Sequence, residues 1–186
     1  MKIAGIWCGH DCSFTIMENG MPVIHAEYER YNREKCTPGD AIQFLLDTCP
    51  DQSNEITHYA SVYPTRKVEA YNESYQKALK TVNNNSGKFH FFSHHYAHAA
   101  NAFYSSNIDN ATVITLDGGG IEDANNGESA CTIWSGTGNK MKNLKTFSPQ
   151  EINIGGVWSR ITRYIFKLQN GWPRGGQEGT VMAMAA

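Results

Sequence analysis

KIAGIWCGHDCSFTIMENGMPVIHAEY (residues 2–28) reads as three consecutive short strands, and this stretch decides the fold class. Residues 2–7 are an apolar run, Gly9-His10-Asp11 makes a turn, and residues 13–17 are a second run closed by Glu18-Asn19-Gly20, the pattern of a β-hairpin. Residues 22–28 supply the third strand. Beyond it the pattern changes. Thr37-Pro38 opens a helix with Ala41, Ile42, Leu45, Leu46 and Cys49 at helical spacing, and Pro50 marks its stop. A strand over residues 56–62 precedes a polar helix over residues 65–82, with Val68, Tyr71, Tyr75, Ala78 and Leu79 inward and an Asn-rich end at residues 83–87. Residues 89–92 are strand-like, Ser93 caps a helix over residues 94–104, and residues 111–116 form a β-branched strand that runs into a turn at Asp117-Gly118-Gly119-Gly120. Residues 129–134 and 141–147 read as a further hairpin, and residues 154–168 as a helix.

An antiparallel start followed by alternating helices and strands predicts an α/β fold: a mixed sheet with helices on its faces, in an RNase H-like layout. The same layout opens the actin, sugar-kinase and Hsp70 group, so function has to be argued from the site. A chain of 186 residues, 40% hydrophobic, buries one substantial core, and one domain over residues 1–186 is expected.

The 16 basic and 18 acidic residues are spread along the chain and leave a net charge of −2, which argues against a nucleic-acid or anionic-membrane partner. No apolar stretch approaches the roughly 18 residues of a membrane helix, and the first residues lack a signal-peptide apolar region, so a cytoplasmic location is expected. The five cysteines lack the paired CxxC spacing of a structural zinc site, and reduced thiols are the simplest assignment. Cys8 and Cys12 are four residues apart but flank a turn, which disfavours them as ligands.

The densest chemical signal is Ser93-His94-His95-Tyr96-Ala97-His98-Ala99-Ala100, where three of the seven histidines lie within five residues. On a helix His94 and His98 are one turn apart and face the same way, so two imidazoles can share one metal ion, while His95 points elsewhere. A metalloprotease would carry a glutamate after the first histidine; His95 stands there, and that reading is rejected. The alternative is a solvent-facing histidine cluster. Asp117, nineteen residues after His98 at the carboxyl end of an apolar strand, is placed to complete a set of two histidines and a carboxylate suited to iron, manganese or zinc. Gly118, Gly119 and Gly120 would let backbone amides approach a phosphate or acyl phosphate, the alternative being an ordinary tight turn. In the first turn, Asp11 can accept a proton from a hydroxyl, with an Asx turn as the alternative. The run Glu29-Arg30-Tyr31-Asn32-Arg33-Glu34-Lys35 is either a solvated segment or a grip for phosphate or carbonyl oxygen.

Taken in order, these pieces resemble the O-carbamoyltransferase family of nodulation-factor and antibiotic-tailoring enzymes, whose first domain is similar to the tRNA threonylcarbamoyl-transferring proteins. The H-D-x-S turn stands as residues 10–13, the E-R-x-x-R-x-K run as residues 29–35, and the H-H-x-x-H-A-A helix as residues 94–100. The D-G-x-G turn stands as residues 117–120, and an E-G-x-x-M-x-x-A segment as residues 178–185. The resemblance implies a two-stage reaction. Carbamoyl phosphate and ATP give carbamoyl-adenylate at a separate carboxy-terminal domain, and the amino-terminal domain passes the carbamoyl group to a small hydroxylated acceptor. It implies His94, His98 and Asp117 as metal ligands and Asp11 as base with His10 beside it. Gly118, Gly119 and Gly120 would be the nucleotide-facing turn, and Arg33 and Lys35 the hold on phosphate or carbamoyl oxygen.

Family members are several times longer, so the chain is expected to be the truncated amino-terminal part of an O-carbamoyltransferase, inactive in the full reaction by itself. A fourth ligand, a later aspartate, and the adenylate-forming domain would lie outside it. Thr180 stands where a lysine is common. Two other readings stay open. A phosphotransferase or ATPase of the sugar-kinase fold group would use Asp11 for magnesium and leave the histidines idle. A non-catalytic module would pair through an exposed apolar face, as a homodimer or with a missing second half.

Overall fold

The computed structural model describes residues 1–64, 69–84, 87–168 and 177–186, without the side chains of Ala70, Tyr71 and Asn84. It divides into two compact units, residues 1–91 and 92–186.

The first unit is built on the expected hairpin. Strands β1 (Lys2–Trp7), β2 (Ser13–Glu18) and β3 (Met21–Glu27) pair antiparallel in sequence. After them come the single-turn helix α1 (Glu29–Asn32), helix α2 (Ala41–Thr48) and the short α3 (Pro50–Ser53). Strand β4 (Ile56–Val62) then pairs parallel with β1, helix α4 (Glu69–Asn84) follows, and β5 (Lys88–Phe92) closes the sheet in the order β3-β2-β1-β4-β5. The first strand is therefore central, because a hairpin meander grows on one side of it and a helical crossover returns the chain parallel on the other. This is the mixed α/β, RNase H-like arrangement expected from the sequence.

Alternation along β1 and β2 turns Ala4, Ile6, Phe14 and Ile16 into a core closed by Ile42 and Leu45 of α2 and by Tyr75, Ala78 and Val82 of α4. The hydroxyl of buried Tyr75 donates to Ser61 Oγ (2.8 Å), which donates to the Ile6 carbonyl (2.6 Å), so the core holds its polar groups in a satisfied chain. Phe14 is 1% exposed, and Phe14→Ala is expected to lower unfolding free energy by about 3–5 kcal/mol. Chemical denaturation would measure it.

Local details differ from the sequence reading. Helix α2 starts at the Asp40 cap, whose carboxylate accepts from Ile42 N (3.1 Å) and Gln43 N (3.0 Å), and not at Thr37-Pro38. Pro50 begins α3 at its first position, where a missing N–H costs nothing. Thr65, the expected start of the helix before β5, and Val68 and the Tyr71 side chain, expected on its inner face, lie outside the described residues.

The second unit opens with helix α5 (His94–Ser105), capped by Ser93 Oγ on Tyr96 N at 3.1 Å. Strands β6 (Asn110–Ile121), β7 (Glu128–Thr137) and β8 (Lys140–Phe147) form a separate antiparallel sheet. The expected turn at residues 117–120 is corrected: Asp117 to Gly120 continue β6, with an irregular register between Leu116 and Gly120 and Gly119 at φ 149°. Glycine permits that backbone, so the pairing with β7 resumes past the bulge. The expected helix over residues 154–168 is α6 (Ile154–Arg160), which widens into a π-turn at Ile161–Ile165. Helix α7 (Glu178–Ala185) follows, and Ser159 Oγ donates to Glu178 Oε1 at 2.8 Å. No helix among the described residues is long and apolar enough to cross a membrane.

Candidate metal centre

On α5 the buried residues are His95, Ala99 and Phe103, an i, i+4, i+8 stripe that packs with Val113 of β6 and Trp134 of β7. This stripe fixes the rotation of the helix. His94 and His98 then fall about 100° round from it, on the shoulder of the helix that meets the end of β6. Their ring nitrogens converge on Asp117. His94 Nε2 lies 2.7 Å and His98 Nε2 3.4 Å from Asp117 Oδ2, and the two nitrogens are 3.0 Å apart. The other carboxylate oxygen, Oδ1, accepts from Gly118 N at 2.5 Å, which holds Oδ2 toward the histidines.

Protons alone satisfy this triangle poorly. Each imidazole nitrogen carries at most one hydrogen and the carboxylate none. If both nitrogens donate to Asp117, two N–H groups face each other; if only one does, one contact lacks a hydrogen. A cation shared by all three donors removes the conflict. Ligands bound at about 2.1 Å to one ion stand roughly 3.0–3.4 Å apart between octahedral and tetrahedral angles, close to the observed separations. The three residues are also a mixed nitrogen and oxygen set suited to iron, manganese or zinc, and all their donor atoms lie within 4.8 Å of one another.

The electrostatics agree with an anion gripped by two rings. Burial pushes the Asp117 carboxyl up, but hydrogen bonds from His94, His98 and the Gly118 amide outweigh it and hold it well below the usual carboxylate range. The His98 ring is raised above an ordinary histidine by its hydrogen bond to Asp117, against the opposing effect of burial. In the cation-free chain this shift stabilises the fold at pH below the ordinary histidine value, and the contribution is lost as pH rises through the raised one. A divalent ion competes with the same proton, so its affinity is expected to fall as pH drops through the raised His98 value. Zinc titrations spanning that value measure it; a flat profile would exclude His98 as a ligand.

Beneath the triangle runs a polar chain that sequence reasoning missed. Trp134 Nε1 donates to Thr132 Oγ1 (2.6 Å), Thr132 to Thr115 Oγ1 (2.6 Å), Thr115 to His95 Nδ1 (2.6 Å), and His95 Nε2 to the Ser129 carbonyl (3.0 Å). Because one end can only donate and the other only accept, every direction follows, and His95 is the neutral Nε2–H tautomer. Burial lowers its pKa, consistent with that form. The available signal was two threonines at inward positions of apolar strands, too common to single out. Asn153, the cap of α6, also belongs here: its Oδ1 accepts from Gly156 N (2.6 Å) and its Nδ2 donates to the Gly118 carbonyl (3.1 Å).

The remaining candidates, apart from the glycine run, belong to the first unit. Asp11, at φ 56°, accepts from His10 Nδ1 at 2.7 Å, and the two side chains are about half exposed. The His10 hydrogen bond, aided by Cys36 and Lys35 and opposed by burial, lowers the Asp11 pKa. Cys36, 25 residues away in sequence, was not foreseen beside Asp11; no local pattern marks it. Lys35 Nζ pairs with Glu29 Oε1 at 2.7 Å, and Arg33, at φ 62°, closes α1 through its backbone N–H to the Glu29 carbonyl. Gly118, Gly119 and Gly120 adjoin Asp117 in β6, and an added Cβ on Gly120 would overlap the His94 ring.

No known protein-family profile matches the chain. Among curated proteins it is similar to the nodulation protein NolNO of Sinorhizobium fredii (strain NBRC 101917 / NGR234), 27% identical over 183 residues. That match covers 84% of this chain and 25% of NolNO, so the chain spans about a quarter of the length of this curated relative. Among solved structures it is similar to HypF of T. kodakarensis, with a TM-score of 0.55 and 17% identity over 78% of this chain and 18% of that one. At that identity the likeness is one of fold, and it agrees with the mixed α/β architecture described above.

Proposed function

We propose that this chain supplies part of the metal and nucleotide site of an O-carbamoyltransferase. The observation that carries the reading is the convergence of His94, His98 and Asp117 on one point, within a chain that holds five family motifs in order and is similar in sequence to a nodulation protein. A metal ion bound by these three residues would supply Lewis acidity toward the carbamoyl carbonyl. The rest falls to the chain itself. Of the Gly118 to Gly120 run, the Gly118 amide is taken by Asp117, which leaves the Gly119 and Gly120 backbone for the adenylate phosphate; in the first unit Arg33 and Lys35 are the candidate hold on phosphate or carbamoyl oxygen. Asp11, kept ionised by His10, accepts the acceptor's hydroxyl proton. The acceptor oxygen bonds to the carbamoyl carbon as the bond from that carbon to the phosphate oxygen breaks, releasing AMP.

The test places the chain in NolNO in exchange for the corresponding segment, loads the protein with metal, and supplies carbon-labelled carbamoyl phosphate, ATP and a panel of hydroxylated sugars and nucleosides. Label in an acceptor, lost in Asp11→Asn, is the expected result. Transfer of γ-phosphate from ATP without any carbamoyl donor would instead favour the sugar-kinase reading. No label in any acceptor, with metal bound, would overturn the proposal for this chain.

A further inference from the structure

Not all seven histidines serve the centre on α5. In the first unit His58 of β4 and His90 of β5 are 32 residues apart in sequence, yet neighbouring strands bring their rings to 5.2 Å between centroids and 19° from parallel. His58 Nδ1 and His90 Nε2 are 2.9 Å apart. Strand alternation turns both away from the core: Tyr59 and Ser61 of β4 are buried and Phe89 and Phe91 of β5 pack on the core, while His58 is half-buried and His90 exposed; a register shift between Ile56 and His58 lets Ile56 be buried as well. On the same face, the residue in register with His58 on β1 is the uncharged Ile3, and Ala60 lies two positions along β4.

A hydrogen bond between two solvent-accessible imidazoles gains little, because water competes for both nitrogens. A shared cation gains more. Two imidazole nitrogens bound at right angles to one ion, each at about 2.0–2.1 Å, stand roughly 2.9 Å apart, which is the separation already present. Rotation of the rings about their side-chain bonds is what would aim both lone pairs at one point. Two nitrogens with water completing the shell favour copper(II), nickel(II) or zinc(II), and disfavour magnesium and calcium, which take oxygen ligands.

We propose that His58 and His90 form a second cation site, an exposed two-imidazole clamp across β4 and β5 that takes a borderline divalent ion, copper(II) more tightly than zinc. An ion held there ties the edge strand of the sheet to its neighbour. The site is independent of the carbamoyl-transfer reading and stands or falls separately from it.

The probe is copper(II) added to the full chain carrying His94→Ala and His98→Ala, followed by calorimetry and by electron paramagnetic resonance. One bound equivalent with a two-nitrogen signature is expected. Adding His58→Ala or His90→Ala should weaken it at least tenfold, whereas adding His25→Ala should not. In the otherwise unaltered chain, His58→Ala should lower copper stoichiometry by one equivalent, which keeps the test valid if the multiple variants fold poorly. Copper binding unchanged by His58→Ala and His90→Ala would overturn the proposal.

Discussion

Replacing Asp117 with alanine is expected to weaken manganese, iron(II) or zinc binding at the α5 centre by more than about 100-fold, the largest single loss anticipated for this protein. The reason is the shape of the triangle. Asp117 Oδ2 lies within 3.4 Å of both imidazole nitrogens, and its carboxylate is the only negative charge among the three donors. Without it two neutral rings remain, which bind first-row ions weakly. Asp117→Asn separates charge from geometry, since an amide oxygen can occupy the same place but carries no charge. Metal content of the purified variants after reloading measures the effect. Equal content in Asp117→Ala and the parent would remove the basis of the enzyme proposal.

Gly120→Val should be severely damaging although the residue ligates nothing. A Cβ at Gly120 would overlap the His94 ring, so α5 must shift or His94 must leave its rotamer, and either movement opens the triangle. Over-packing of this kind costs about 1–3 kcal/mol of stability, and a ligand displaced by an ångström costs cation affinity as well. At least a tenfold loss of affinity is expected, together with a lowered melting temperature. Gly118→Ala is the control. A Cβ there meets nothing closer than 3.8 Å, so stability and cation affinity should stay near the parent's. If Gly118→Ala proves as harmful as Gly120→Val, close packing against His94 is not the cause.

Much of the first unit was legible before any coordinates. The hairpin over residues 2–17 and the third strand are written in period-two alternation and turn residues that act within a few positions, and the strands lie within a residue or so of where they were read. Helix starts were less legible where two signals competed. Thr37-Pro38 and Asp40 both announce a start, and the carboxylate that reaches two backbone amides decided it. The glycine run misled for a related reason. Gly118 to Gly120 read as a turn by composition, but pairing across to Ser129 and Glu128 draws the chain on as strand.

What the sequence determined by itself was the kind of chemistry: two histidines one turn apart on a capped helix, and an aspartate at the end of an apolar strand. Those are local facts, set by helical period and strand burial. Only the tertiary structure decided that the three side chains meet, because meeting depends on how far α5 is rotated, and that rotation is set by packing His95, Ala99 and Phe103 against β6 and β7. The same holds for His58 with His90 and for Cys36 with Asp11. Contacts between residues 25 or 32 positions apart come from strand pairing and loop closure, whose energies are summed over many residues and leave no mark at the pair itself.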